Sequence, residues 1–161
     1  MSQKNNILVS NLLKSSLIIL ELQSKDKKSV LLELVDLIAK SKKLSDKKAF
    51  SKAIHDREKL GSTGLGQGVA IPHAKSKVVK GFVLVFARCS EGIDFGALDG
   101  EKTYLFFSLA SPQQDVGVHL KLLSEISRLV KDKFTVESLK KAKSCQEVVK
   151  IITAMEKQFP K

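Results

Sequence analysis

From Lys28 to Ala39 the apolar residues Val30, Leu31, Leu34, Val35, Leu37 and Ile38 recur at the 3.6-residue period of an amphipathic helix, with Ser24 and Asp26 upstream as candidate N-caps. A second helix is predicted after Ser45 or Asp46; it buries Ala49, Phe50, Ala53 and Ile54 and carries Arg57 near its end. Leu17-Ile18-Ile19-Leu20 reads as a brief strand or the start of a helix, and Val69-Ala70-Ile71 as a short strand that stops at Pro72. Two continuous apolar runs, Phe82 to Cys89 and Thr103 to Ala110, have the length and texture of central strands covered on both faces. The segment between them, Glu91 to Gly100, reads as a loop, and Ser111-Pro112-Gln113-Gln114-Asp115 as a rim loop. It leads into a helix expected to bury Leu120, Leu123, Ile126, Leu129 and Val130, with His119 in its first turns. Helical patterns around Thr135–Ala142 and Gln146–Gln158 complete the chain. The expected fold is α/β: a single domain spanning 1–161, with a small mixed sheet flanked by helices.

The 161 residues, 43% hydrophobic and 28% charged, supply one sizeable core. No apolar run approaches the ~20 residues that span a bilayer, and the first six residues lead into no secretory segment, so no membrane insertion and a cytoplasmic location are expected. Cys89 and Cys145 lack metal or redox spacing and read as buried reduced thiols. The formal charge of +11 raises nucleic acid as a partner. The excess, however, lies outside the middle third: residues 61–120 carry five basic and five acidic residues. The lysines elsewhere alternate with acids and leucines at helical spacing, zinc-finger and RNA-recognition motifs are missing, and Tyr104 is the only tyrosine. No nucleic-acid partner is expected.

Gly61-Ser62-Thr63-Gly64-Leu65-Gly66-Gln67-Gly68 holds four of nine glycines in eight residues, which no helix survives. It lacks the GK[ST] ending of a phosphate loop and is not GxGxxG; it also follows a helix and precedes a strand, the reverse of the dinucleotide-binding order. No GxSxG supports a hydrolase using Ser62 or Thr63. His73, held by a proline after a strand, is expected at the sheet rim, where Arg57, Ser62, Thr63 and His119 can converge with it. A neutral imidazole is a good nucleophile at pH 7 and forms a labile N–P bond, and arginine grips phosphoryl oxygens bidentately. Read without that convergence, His73 is a rim histidine of no chemistry, His119 only hydrogen-bonds, Arg57 and Glu58 form a surface ion pair, and His55 is exposed. A metal on His73 and His119 lacks a third ligand with sequence support. No metal and no cofactor are expected.

Ala53-Ile54-His55-Asp56-Arg57-Glu58, followed by Gly61 through Pro72-His73, resembles the signature of type-2 enzyme IIA domains of the bacterial phosphoenolpyruvate-dependent phosphotransferase system, the fructose, mannitol and nitrogen-regulatory class. The resemblance continues through Ile93-Asp94-Phe95-Gly96-Ala97-Leu98-Asp99-Gly100, Ser108-Leu109-Ala110-Ser111-Pro112 and Val118-His119-Leu120. It implies a histidine phosphorylated by the phosphocarrier HPr or its nitrogen-branch counterpart. His73 occupies the acceptor position, Arg57 and His119 match the arginine and second histidine beside the phosphoryl group, and Ser62, Thr63 and Gly64 form the supporting turn. Where many members have glycine after the acceptor, this chain has Ala74, whose methyl is expected to narrow the site slightly. A chain of this length without a permease or cysteine-bearing B domain is most similar to the nitrogen-regulatory branch, whose members bind regulated target proteins. The alternative is a sugar-specific IIA component that passes the phosphoryl group to a fructose- or mannitol-type IIB.

Overall fold

The sheet is centred on two long antiparallel strands, β5 (Val83–Ile93) and β6 (Thr103–Pro112), as seen in a computed structural model that describes residues 7–159. A two-residue strand, β1 (Ile18–Ile19), runs parallel to β5 on one side. On the other side of β6 lie β3 (Val69–Ala70) and β4 (His73–Ser76), both parallel to it and sharing one track, while β2 (Gly64–Gly66) pairs antiparallel with β3 at the edge.

The glycine segment is therefore a tight hairpin rather than a plain loop. Gln67 and Gly68, both at positive φ, turn it. The strand predicted to stop at Pro72 resumes at His73 instead. The two-residue gap stays anchored because Pro72 O accepts from Leu109 N at 3.0 Å and from Ser108 Oγ at 2.9 Å. His73 thus opens β4 and pairs with Leu109. Both central strands also outrun their apolar cores: β5 takes in Glu91–Ile93 and β6 takes in Ser111 and Pro112, residues read from sequence as loop.

Strand alternation divides the interior into two layers. Ala70, Ala74, Val83, Val85, Ala87, Phe106 and Ala110 face α2 (Lys27–Ala39) and α3 (Lys47–Lys59). Val69, Ile71, Leu84, Phe86, Leu105, Phe107 and Leu109 face α4 (Val116–Val130), α5 (Lys133–Lys141) and α6 (Cys145–Glu156), with the short α1 (Val9–Leu12) beside them. Of the residues expected to be buried on α4, Leu120 is 59% exposed and Leu122 takes its place in the core. Leu122, Ile126 and Leu129 make the apolar stripe, with Val130 beside it, and this turns Leu120 and Val116 outward.

Helix starts follow their caps. Asp26, Asp46, Asp132 and Ser144 each accept from the backbone N–H three residues on, a contact worth about 1 kcal/mol apiece. Arg88 donates to Leu20 O, Leu139 O, Lys140 O and Ala142 O, binding the end of α5 to β5. The carboxylate of Glu156 accepts from Val9 N, Ser10 N and Ser10 Oγ, joining α6 to the start of α1. Cys89 is buried, Cys145 is half-buried, and both are free thiols. No helix among the described residues is long and apolar enough to cross a membrane.

Candidate functional site

His73 projects from β4 toward the α4 layer, on the same side of the strand as Ile71 and Lys75. Its Nδ1 lies 2.6 Å from Ile71 O. A carbonyl oxygen only accepts, so Nδ1 carries the proton and Nε2 is left with an open lone pair. The ring is held below the ordinary histidine pKa, first by burial and then by the positive charge of Arg57, with the Ile71 hydrogen bond acting the other way. It is neutral at pH 7.

His119 reaches the same place from α4. Ser111, on β6 opposite Lys75, contacts its Nδ1 through Oγ at 2.7 Å, and the two imidazole centroids are 5.5 Å apart. The ring is buried, and burial together with the nearby His73 and Lys75 pushes its pKa down to about 4. Two neutral imidazoles therefore face one another.

Arg57, in the last turn of α3, comes from the opposite layer. Its Nη1 donates to Gly61 O at 2.9 Å, which steadies the guanidinium while leaving other N–H groups free, and its charge acts on His73.

Ser62 and Thr63 sit beside these groups, with their hydroxyls committed inward. Ser62 Oγ donates to Phe95 O at 2.7 Å and accepts from Gly64 N at 3.0 Å. Thr63 donates through N at 2.8 Å and through Oγ1 at 2.6 Å to the carboxylate of Glu58. Glu58 is buried and ion-paired with Lys27 at 3.0 Å, and the Lys27 ammonium also lies over the Phe95 ring and donates to Phe95 O. At Gly64 an added Cβ would come within 3.1 Å of Ala97 Cβ and 3.2 Å of its Cα, so glycine lets the 94–100 loop close on the turn without Ala97 having to give way. The turn shapes the site and spends its own polar groups doing so.

The structure thus brings His73, His119 and Arg57 together and sets Ser62, Thr63 and Gly64 behind them. Three further residues were given no role in the site by the sequence: Lys75, Ser111 and Glu58. Lys75 follows His73 by two, which only a strand through this segment would have revealed. Ser111 stood in an expected loop. Glu58 read as half of a surface pair with Arg57, and its actual partner, Lys27, is thirty-one positions away. Ala74 does not narrow the site, because its methyl is buried in the layer under α2 and α3. His55, expected exposed, is half-buried, with Nδ1 donating to Ser51 O at 2.7 Å. Among the described residues no cluster of three metal-ligating side chains occurs.

Residues 11–155 match the family model described as the phosphoenolpyruvate-dependent sugar phosphotransferase system, EIIA 2. The chain belongs to this family. Similar members of the EIIA 2 family include the fructose-specific EIIABC component of Bacillus subtilis, 36% identical over 149 residues, which are 92% of this chain and 24% of that protein. The chain thus spans about a quarter of that relative. A nitrogen regulatory protein of Escherichia coli is 37% identical over 131 residues, covering 81% of this chain and 80% of its own. The crystal structure of the nitrogen regulatory protein IIA-Ntr from Neisseria meningitidis superimposes with a TM-score of 0.84 at 35% identity, over 89% of this chain and 98% of that one. The mixed sheet between helical layers is the fold of these EIIA 2 proteins.

Proposed function

We propose that this protein is a phosphohistidine carrier that accepts a phosphoryl group on His73 Nε2 from an HPr-like phosphocarrier and acts, in its two phosphorylation states, as a regulatory protein of the nitrogen branch. One observation carries the reading: Nδ1–H of His73 is committed to Ile71 O, which leaves Nε2 unprotonated on a neutral ring beside a second imidazole and a guanidinium. In the transfer, Nε2 forms a bond to phosphorus as the donor histidine's N–P bond breaks, and the electron pair of that bond returns to the donor nitrogen. No proton need move. The free N–H groups of Arg57 neutralise the phosphoryl oxygens. With the Ser111 hydroxyl donating to His119 Nδ1, His119 Nε2–H is available to a third oxygen. Ser62, Thr63 and Gly64 hold the turn that fixes these positions.

The nitrogen-branch reading rests on the 35% identity to IIA-Ntr over nearly the whole of that protein. The fructose-specific Bacillus relative favours a second reading, a sugar-specific component that hands the phosphoryl group to a IIB partner. Both place the protein in the cytoplasm. Phosphoenolpyruvate, enzyme I and a carrier, supplied in sugar-branch and nitrogen-branch forms, are expected to deposit an acid-labile, base-stable phosphate, with the nitrogen-branch set faster. Label persisting in His73→Ala rejects the carrier reading, and faster transfer from the sugar-branch set selects the second one.

A further inference from the structure

Between α2 and α3 lies a groove of about 640 Å³ whose lining includes Lys28, Leu31, Leu32, His55, Glu58 and Lys59. This volume is typical of small-molecule sites.

Three observations bear on what could fill it. The first is charge. Residues 25–59 hold eleven Lys and Arg against six Asp and Glu, and every one of those six acids is already engaged. Asp26, Glu33 and Asp46 accept from backbone N–H groups, Asp36 and Asp56 pair with Lys47 and Lys52, and Glu58 serves Lys27 and Thr63. Lys28 and Lys59, two exposed lining residues, have no carboxylate within ion-pair distance among the described residues. The second is the apolar lining: Leu31 floors the groove and Leu32 remains 45% exposed on its wall. One exposed leucine is too little for an amphipathic helix, which needs several anchors along its length, and is enough for one compact apolar body. The third is His55. With Nδ1 donating to Ser51 O, its Nε2 presents a lone pair that is buried without a donor, one of two such side-chain atoms among the described residues. A buried acceptor left unpaired is a standing cost that a ligand's hydroxyl can relieve once the groove side chains part around it.

We propose that this groove binds a small organic anion with an apolar body, its charge between Lys28 and Lys59 and its body on Leu31 and Leu32. The site does not depend on phosphoryl transfer. It is nevertheless connected to the histidines, because Glu58, in the groove wall, is the carboxylate that holds Thr63 in the glycine turn, and Lys27 is its counterion. An anion drawing Lys27 toward itself weakens that hold, so occupancy and turn geometry are linked in both directions.

The full-length protein is titrated with 1-anilinonaphthalene-8-sulfonate, a fluorescent anion with an aromatic body. One probe is expected per chain, with affinity reduced about ten-fold in Lys28→Gln/Lys59→Gln and unchanged in Lys131→Gln/Lys141→Gln on the opposite layer. Equal losses in the two pairs, or none in either, reduce the effect to generic charge and overturn the site. Octyl phosphate is expected to displace the probe at lower concentration than inorganic phosphate; equal displacement removes the role of the apolar body and overturns the ligand class. His73→Ala should bind the probe like the parent. A loss there equal to that of the lysine pair would place the anion at the histidines and overturn the proposal, whereas failure of phosphotransfer with probe binding intact touches only the carrier reading. Saturation with probe should shift the Thr63 amide resonance in the parent and not in the lysine pair; a stationary resonance in the parent overturns the link.

Discussion

The histidine pair and the glycine turn lie side by side and handle their polar groups in opposite ways. In the turn, the hydroxyls of Ser62 and Thr63 and the carboxylate of Glu58 are all satisfied by other protein groups. In the pair, His73 and His119 each use Nδ1 to fix the ring, through Ile71 O and Ser111 Oγ, and keep Nε2 uncommitted among the described residues. A group proposed to bind a passing phosphoryl cannot be saturated by its own fold, and a group that must hold geometry has to be. Residue type alone does not tell the two apart, since serine and threonine next to a histidine would suit either purpose.

Breaking the reactive half should have the largest effect. Arg57→Ala is expected to slow phosphoryl acceptance about 10²–10³-fold with little change in melting temperature, because the charge met by the phosphoryl oxygens disappears while only one surface hydrogen bond is lost; rapid-quench transfer assays read this. Breaking the structural half should do the reverse. Glu58→Ala strands Thr63 and Lys27 and should cost about 3 kcal/mol in urea unfolding, whereas a loss well under 1 kcal/mol would show that water replaces the carboxylate.

The depressed pKa of His119 sharpens the contrast through pH. Its folded value, about 4, lies below the ordinary 6.5, so the neutral ring contributes fully above about pH 6.5 and its contribution is lost as pH falls through 4. Roughly 3 kcal/mol of stability should vanish across that window, and His119→Gln should flatten the profile measured by urea midpoints at pH 7 and pH 4. The smallest effect is expected from Ser62→Ala, about 1 kcal/mol of stability with transfer within a few-fold of the parent. A hundred-fold slower transfer in this variant would move Ser62 into the reactive half.

Local patterns carried far in this chain. The helices of residues 27–59 were legible because their apolar period and their Asp or Ser caps act within a few residues of one another, those of residues 133–156 by their apolar period alone, and the central strands because long apolar runs have few other uses. Arg57, His73 and His119 were legible as candidates because an arginine, a glycine-rich turn and a proline-held histidine have a recognisable order along the chain. The misread stretches share a cause. Ser111, Lys75 and the strand through His73 depend on pairing with a partner more than thirty residues away, and the outward face of Leu120 depends on which stripe of α4 meets the sheet.

What the sequence by itself determined was the long helices, the two central strands and the order in which the candidate site side chains occur, since propensity, capping and side-chain chemistry operate over short distances. The tertiary structure alone decided which nitrogen of His73 is open, that Glu58 is a buried counterion to Lys27 rather than a surface partner of Arg57, and that Ala74 turns away from the site. The last two are set by groups that the packing of helical layers on one sheet brings together, and the first, although Ile71 is only two residues from His73, by the backbone path that pairing with β6 imposes on residues 69–76; no residue pattern along the chain encodes them.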